Sequence, residues 1–130
     1  MLQSENINAQ LLELFLPEGI LDHFIVTDFT QESSGQDLYT KSLTIYLEEN
    51  KDIPQEFSHY KYKASGFMPP KLIQDCPVRS NLVTLSIKRR RWDVEINGKV
   101  EKKSRDWQTV AKGTKLNPEY ASFLKEIGGL

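Results

Sequence analysis

The alternation of apolar and polar positions predicts a mixed α+β fold, with strands in the middle of the chain and a helix near each end. The N-terminal helix is predicted over Asn6 to Leu16, because apolar residues recur there at three- and four-residue spacing. Those residues are Ile7, Leu11, Leu14 and Phe15. The C-terminal helix is predicted over Leu116 to Ile127, with Asn117 as its cap and Pro118 in its first turn.

The first half of the chain predicts an antiparallel hairpin with one buried face. Ile20 to Phe29 is rich in β-branched and aromatic residues, which predicts a strand. After a turn at Ser33 to Gly35, alternating apolar residues predict a second strand that pairs with the first. These residues are Leu43, Ile45 and Leu47.

The next part of the chain is less regular. Residues 49–70 predict only a short helical turn at Pro54 to Tyr60. A strand is then predicted at Leu72 to Cys76, and a longer one at Leu82 to Trp92 pairs back on it after a turn. Asn97–Gly98 is the strongest hairpin signal, because this dipeptide adopts the positive φ values that a two-residue turn needs.

The longer strand contains a change of parity. Apolar residues alternate up to Ile87 and again from Trp92 onward, but these two residues are five positions apart. A strict pleat cannot bury both of them on one face. We therefore predict that the chain bends, bulges or leaves the sheet within Lys88 to Arg91, and that the arginine side chains there point into solvent.

Basic residues are concentrated in the same region. Residues 79–115 hold eleven Lys and Arg against four acidic residues, a balance of +7, whereas the remainder of the chain carries −8. Clustered cations with Trp92 and Trp107 among them are typical of a surface that binds a polyanion, most commonly nucleic acid. The candidate phosphate contacts are Arg79, Lys88, Arg89, Arg90, Arg91, Lys102, Lys103 and Arg105.

Two interpretations of Lys88 to Arg91 stay open on composition alone. Consecutive basic residues are typical of a strand edge that discourages pairing with other strands. They are also typical of phosphate contacts, whose affinity falls as salt rises. The further basic residues between Lys99 and Lys115 favour nucleic acid.

Bulk properties narrow the class of protein. The 130 residues fit a single domain, in which residues 1–48 form the helix and first hairpin and residues 67–127 form the basic hairpins and the C-terminal helix. Hydrophobic content of 38% and charged content of 27% are typical of a soluble globular protein. The chain lacks an apolar run near the roughly 20 residues that cross a bilayer, and its N-terminus lacks the pattern of a signal peptide, so we expect a cytoplasmic protein without a membrane partner.

The sequence favours neither metal chemistry nor catalysis. Cys76 is the single cysteine, and only His23 and His59 offer imidazole ligands, so we expect no metal and no cofactor. His23 has two aspartates nearby in sequence, but such a histidine is more often a surface or packed residue. No glycine-rich phosphate loop or serine elbow occurs, and we expect a protein that is not an enzyme.

Several segments resemble the N-terminal region of certain bacterial insertion-sequence transposases. The most specific are Ile73 to Arg79, with the sequence Ile-Gln-Asp-Cys-Pro-Val-Arg, and the strand Val83 to Trp92, which ends in Arg-Arg-Arg-Trp. Leu11 to Leu21 is similar to the opening of these regions. Ser104 to Trp107 and Ala111 to Leu116 are similar to their closing segment. The resemblance covers nearly all of the chain.

The resemblance implies a zinc-ribbon-like β core. Related transposases carry Cys-x-x-Cys knuckles before the Asp-x-Pro strand and after the Arg-aromatic pair. In this chain residues 50–66 hold no cysteine, and Trp92 is followed by Asp93 to Glu95. The Asn97–Gly98 hairpin stands where the second knuckle would be. We therefore expect ordinary packing that involves Trp92 and Trp107 to replace the metal.

In that family the region binds double-stranded DNA at the terminal inverted repeats, and a separate acidic-triad domain carries out cleavage and strand transfer. These 130 residues hold no room for that domain, so the resemblance implies the non-catalytic DNA-binding part of an insertion-sequence transposase. Some elements encode the two parts in separate frames, which makes a separately encoded catalytic transposase subunit a further partner. The alternative is a protein-interaction or oligomerisation module that docks this subunit, and the acidic first half and basic second half also allow a homo-oligomer.

Overall fold

Seven strands in two sheets and one N-terminal helix make up most of the described structure. The computed structural model describes residues 2–17, 19–107 and 125–127. The elements in chain order are α1 Leu2–Phe15, β1 Phe24–Ser33, β2 Lys41–Glu49, β3 Lys61–Phe67, β4 Lys71–Val78, β5 Asn81–Lys88, β6 Arg90–Ile96 and β7 Lys99–Ser104. The mixed α+β class predicted from the sequence is confirmed.

Helix α1 begins at Leu2, four residues before the predicted start, and ends at Phe15. Pro17 and Gly19, which has a φ of 92°, follow its end, because neither residue continues a helix readily. The apolar stripe predicted on this helix stays open to solvent. Each of its side chains is at least 50% exposed, and they are Ile7, Leu11, Leu14 and Phe15.

The first predicted strand is wrong at its N-terminal end. Ile20–Asp22 forms a 3-10 turn, and strand β1 starts only at Phe24. Ile20 is apolar and fully buried, so its packing satisfies the hydrophobic pattern without an extended backbone. A β-propensity pattern alone does not separate these two solutions.

Strands β1, β2, β5 and β4 form sheet A, in that order. The β1–β2 and β4–β5 pairs are antiparallel, as predicted, whereas β2 and β5 run parallel. A parallel pair needs a long crossover, and here the connection includes the second 3-10 turn Gln55–Phe57 and strand β3. The helical turn predicted between Pro54 and Tyr60 is confirmed.

One face of sheet A is apolar and largely buried. Residues that are paired across neighbouring strands lie on the same face of a sheet. The register of β2, β5 and β4 therefore puts the apolar residues of these three strands on one face. The buried apolar residues on this face are Leu47, Ile73, Val83, Leu85 and Ile87. The opposite face carries mostly hydroxyl and charged side chains.

The predicted long strand Leu82 to Trp92 is instead two strands in different sheets. Strand β5 ends at Lys88 and strand β6 begins at Arg90, so only Arg89 lies between them. The prediction of a break within Lys88 to Arg91 is confirmed. The change of parity arises because Ile87 is buried by sheet A and Trp92 by the second sheet.

Strands β3, β6 and β7 form sheet B, with β6 in the centre and both pairs antiparallel. The predicted Asn97–Gly98 hairpin connects β6 to β7, and these residues have φ values of 52° and 79°. Strand β3 lies within residues 49–70, where the sequence predicted no strand. Trp92 and Val94 are at most 1% exposed on the inner face of this sheet.

The chain divides into two compact units, residues 1–23 with 106–130 and residues 24–105. Both sheets belong to the second unit. The predicted single domain stays a prediction, and so does the zinc-ribbon likeness. Lys112, Lys115 and most of the predicted C-terminal helix lie outside the described residues, in which 125–127 are helical. Within the described ranges no helix has the length and hydropathy that a bilayer crossing requires.

Candidate nucleic-acid interface

A buried glutamate organises the connection between the two sheets. Glu49 ends strand β2, and its side chain is 0% exposed. Its Oε1 accepts a hydrogen bond of 2.8 Å from the backbone N–H of Arg90, and its Oε2 accepts one of 2.9 Å from Nε of Arg105. We call Glu49, Arg90 and Arg105 the junction.

Arg90 does not point into solvent, and this part of the prediction was wrong. The residue is 9% exposed, its Nε donates to the backbone carbonyl of Glu49 at 3.2 Å, and its guanidinium lies 4.4 Å from the ring centroid of Phe67. Arg90 is buried because it lies two residues before Trp92 and therefore shares the inner face of β6 with it. Hydrogen-bond acceptors and the ring of Phe67 surround its guanidinium there.

Arg105 is also committed to the junction. Its side chain is 11% exposed, and its Nη2 donates to the backbone carbonyl of Asp52 in addition to the bond with Glu49. Burial raises the pKa of Glu49 above its usual value, and the hydrogen bonds from Arg90 and Arg105 offset part of that effect. Burial of the Glu49 charge is therefore only partly compensated, and loss of either arginine contact would leave that charge more poorly satisfied. The arrangement leaves little of either guanidinium for a ligand.

The other basic residues at the break are only partly accessible, and the Nε of Arg89 is shielded from solvent. Lys88 and Arg89 are half-buried, and the Lys88 Nζ lies 6.0 Å from the ring centroid of Phe67. The backbone carbonyl of Arg89 accepts a hydrogen bond of 2.8 Å from Met68. Arg91, also half-buried, lies opposite Ser104 on the outer face of sheet B.

Lys102 and Lys103 both pair with acidic residues on sheet B. The Lys102 Nζ donates to Asp93 Oδ1 at 2.9 Å and to Ser65 Oγ at 2.7 Å, yet its side chain remains 61% exposed. Lys103 Nζ lies 3.5 Å from Glu101. Pairs this exposed are weak, so both ammonium groups remain available to a stronger anion.

Arg79 lies apart from the other candidates. It is exposed in the turn between β4 and β5 with a φ of 58°, at the end of β5 opposite to Lys88. A strand of this length spans roughly 23 Å. Of the candidates, the structure brings Arg91 and Lys102 together on the outer face of sheet B. It places Lys103 on the inner face opposite Trp92, leaves Lys88 in sheet A, and holds Arg90 and Arg105 at Glu49. Arg79 lies at a distance from all of them.

The outer face of sheet B collects basic residues from all three strands. Lys63 in β3 and Lys102 in β7 flank Asp93 in β6, while Lys61 and Val100 flank Glu95 in the same way. Hydrogen bonds from Lys102 and Ser65 lower the pKa of Asp93, so this carboxylate stays ionised. We call this surface the basic face, and its charged residues are Lys61, Lys63, Arg91, Lys102, Asp93 and Glu95.

Lys61 and Lys63 were missed by the sequence-based site prediction. They lie before the basic segment, in a stretch that predicted no strand, and only strand pairing brings them beside β6. The signal that was present is the alternation of Lys61, Tyr62, Lys63 and Ala64, which is typical of a strand with one charged face. A shallow groove of about 280 Å³ crosses this end of the basic face.

The open face of sheet A has the opposite charge. Asp28, Glu32 and Glu48 lie there, and Lys88 stands opposite Glu48 in the register. We call these four residues the acidic face. The acidic face repels a polyanion, and the basic face attracts one. Both effects act over about a Debye length from the surface.

The residues considered for catalysis take part in ordinary packing or lie on the surface. His23 packs edge-on against Trp107 with ring centroids 5.6 Å apart, and Cys76 is exposed in β4. Within residues 2–17, 19–107 and 125–127, no group of three or more His, Cys, Asp and Glu lies close enough to hold a metal ion. Comparisons with models of known families, with curated proteins and with solved structures found no match for this chain.

Proposed function

We propose that this chain is the non-catalytic DNA-binding part of an insertion-sequence transposase and that the basic face contacts the duplex. The observation that carries the proposal is the grouping of Lys61, Lys63, Arg91 and Lys102 from three adjacent strands on one open face. Among the described residues, two carboxylates, Asp93 and Glu95, share that face. Cations in this arrangement bind a polyanion through release of its counterions.

The dimensions of sheet B support a duplex as the ligand. Strands β3 and β7 lie on either side of β6, so their axes are about 9.6 Å apart. The major groove of B-DNA is about 12 Å wide and admits a two-stranded β-ribbon, so an outer strand of this three-stranded sheet would lie at its border. Lysines on the two outer strands thus suit the two phosphate backbones that border the groove.

The junction gives the proposed surface a rigid support. Arg90 and Arg105 hold the start of β6 and the end of β7 against Glu49, which fixes the strands that carry Arg91 and Lys102. We further propose that the β core is zinc-ribbon-like without its metal. The burial of Trp92 and Trp107, at 1% and 3% exposure, supports packing in place of metal ligation.

Salt-dependent binding to a duplex tests the function. Fluorescence anisotropy with a labelled duplex, from about 50 to 200 mM KCl, gives the slope of log affinity against log salt. The triple variant Lys61→Gln, Lys63→Gln, Lys102→Gln should flatten the slope by about 2.7, since each phosphate contact contributes about 0.9. The matched control removes the same charge elsewhere, as Lys41→Gln, Lys51→Gln, Lys71→Gln, and should leave most of the slope. Equal slopes in the two triple variants would contradict the proposal.

A second candidate function is a module that docks a separately encoded catalytic transposase subunit. Helix α1 favours it, because four large apolar side chains on one face are each at least 50% exposed; they are Ile7, Leu11, Leu14 and Phe15. If such a subunit exists, Leu14→Ser should abolish its co-purification with this chain and leave the DNA affinity unchanged. Unchanged co-purification would rule out this surface.

A further inference from the structure

The central strand of the basic face carries a pattern that phosphate binding alone does not explain. Strand β6 presents Arg91, Asp93 and Glu95 on this face, and two of the three are acids. An acid on a phosphate-binding surface weakens generic affinity. We propose, on the basis of the proposed function, that β6 lies along the floor of the major groove, where Arg91 contacts guanine and Glu95 contacts cytosine.

Arg91 has the surroundings of a base-contacting side chain. Its partner in β7 is Ser104, and the adjacent stretch of β3 bulges between Ala64 and Phe67. Arg91 is half-buried there, and its neighbour in β7 has only a short hydroxyl side chain. Among the described residues, Arg91 takes part in none of the ion pairs that hold Lys102, Lys103 and Arg105. Arginine pairs in a bidentate manner with O6 and N7 of guanine, the commonest specific contact in the major groove.

Glu95 suits the exocyclic amine of cytosine. It is exposed in the register between Lys61 and Val100. A carboxylate cannot contact a phosphate favourably, but it accepts a hydrogen bond from N4 of cytosine in the major groove. Lys61 beside it reduces the repulsion that the carboxylate meets on approach to the duplex. Glu95, with Lys61 beside it, thereby favours a G·C pair and costs little of the affinity for unrelated duplexes.

Asp93 has a different role because it is already satisfied. Lys102 Nζ lies 2.9 Å from its Oδ1, and the same ammonium donates to Ser65. Hydrogen bonding keeps this carboxylate ionised. Asp93 therefore positions Lys102 toward one backbone rather than contacting a base itself.

The spacing along β6 turns the inference into a sequence preference. Arg91 and Glu95 are four residues apart, which corresponds to about 13.6 Å along an antiparallel strand. Base pairs rise by about 3.4 Å each along the helix axis, and the groove runs at an angle to that axis, so the two contacts lie about three to four base pairs apart. The preferred site should contain two G·C pairs at that separation.

Selection from a library of duplexes with a randomised central segment tests this preference in the whole chain. The wild type should enrich two G·C pairs at the stated separation. Glu95→Gln should lose about tenfold of the discrimination between G·C and A·T at one pair, while its affinity for unrelated duplexes rises. Arg91→Lys keeps the charge but removes the bidentate fork, so it should lose discrimination at the other pair and keep the salt slope. Glu32→Gln on the acidic face is the charge-matched control and should retain both preferences.

The outcomes separate this inference from the proposed function. Salt-dependent binding without enrichment of G·C pairs would overturn the base contacts and leave the DNA-binding proposal standing. Enrichment that survives both Glu95→Gln and Arg91→Lys would also overturn them. Wild-type protein that shows no salt-dependent binding at all would end the proposed function, and the base contacts with it.

Discussion

The junction and the basic face hold the same kinds of cation at opposite extremes of exposure. Arg105 and Lys102 are three residues apart near the end of β7, yet their side chains are 11% and 61% exposed. Arg105 meets the fully buried carboxylate of Glu49, whereas Lys102 meets Asp93 at the surface. A run of basic residues in the sequence therefore contains two groups, one that holds the fold together and one that faces solvent.

The difference shows that a buried acid decides which cations become structural. Charges removed from water interact strongly, and an unpaired charge there is costly, whereas solvent screens a surface pair. The Glu49 carboxylate accepts a hydrogen bond from the guanidinium of Arg105 and one from the backbone N–H of Arg90. The Arg90 guanidinium donates to the backbone carbonyl of Glu49, so both side chains are held at the junction. The cations left on the outer face of sheet B keep their charge available to an external anion.

Removal of Arg105 should produce the largest effect on stability. Arg105→Met leaves Glu49 buried without its ion-pair partner, which should lower the free energy of unfolding by about 3–5 kcal/mol near neutral pH. The loss should shrink in acid, because a protonated Glu49 no longer needs the cation. Urea unfolding followed by circular dichroism measures both values.

The paired control for Arg105→Met replaces both charges. Arg105→Met combined with Glu49→Leu removes the buried charge together with its partner, and it should recover much of the lost stability. If Arg105→Met alone were as stable as the wild type, the junction would contribute no more than the exposed ion pairs do. The contrast between the two regions would then be lost.

The titration of Glu49 gives a second measure of what its burial costs. Burial raises its folded-state pKa, so the folded protein binds this proton more tightly than the unfolded chain does. The wild type should therefore lose stability as pH rises from the unfolded-state pKa through the folded-state pKa. Glu49→Gln does not titrate, and its stability relative to the wild type should improve over the same window. A series of urea unfolding curves across pH checks the sign, and the opposite trend would mean that Arg105 outweighs burial.

The break between β5 and β6 was predictable because it rests on local parity. Ile87 and Trp92 cannot share a face of one strand, and the structure places them in different sheets. The hairpin at Asn97–Gly98 was predictable for a similar reason, since two positive φ values select those residues. Both features depend only on residues that are close in sequence.

The junction and the basic face were not predictable, because both depend on distant pairing. Glu49 is 41 residues from Arg90 and 56 from Arg105, so no local pattern links them. Lys63 lies on the basic face only because β3, which is part of the connection between β2 and β5, pairs with β6. Strand β3 is exposed at most positions, so the alternation of Lys61 to Ala64 comes without the buried apolar face that marks a core strand.

Removal of Lys102 should have the smallest effect on stability and a distinct effect on binding. The pKa of Asp93 is lowered chiefly because Lys102 donates a hydrogen bond to it. The pair therefore stabilises the fold above the unfolded-state pKa of Asp93. This contribution is lost as pH falls through the folded-state pKa. Lys102→Met should weaken this acid-side dependence, and Ser65 and Lys63 should retain part of it. It should change neutral stability far less than Arg105→Met does, because water surrounds the pair. The same variant should lose DNA affinity and reduce the salt slope by about 0.9, since an exposed ammonium is the type of group that contacts phosphate. Unfolding curves and anisotropy titrations on one protein preparation test both expectations, and a Lys102 variant that unfolds easily but binds normally would reverse the assignment of the two regions.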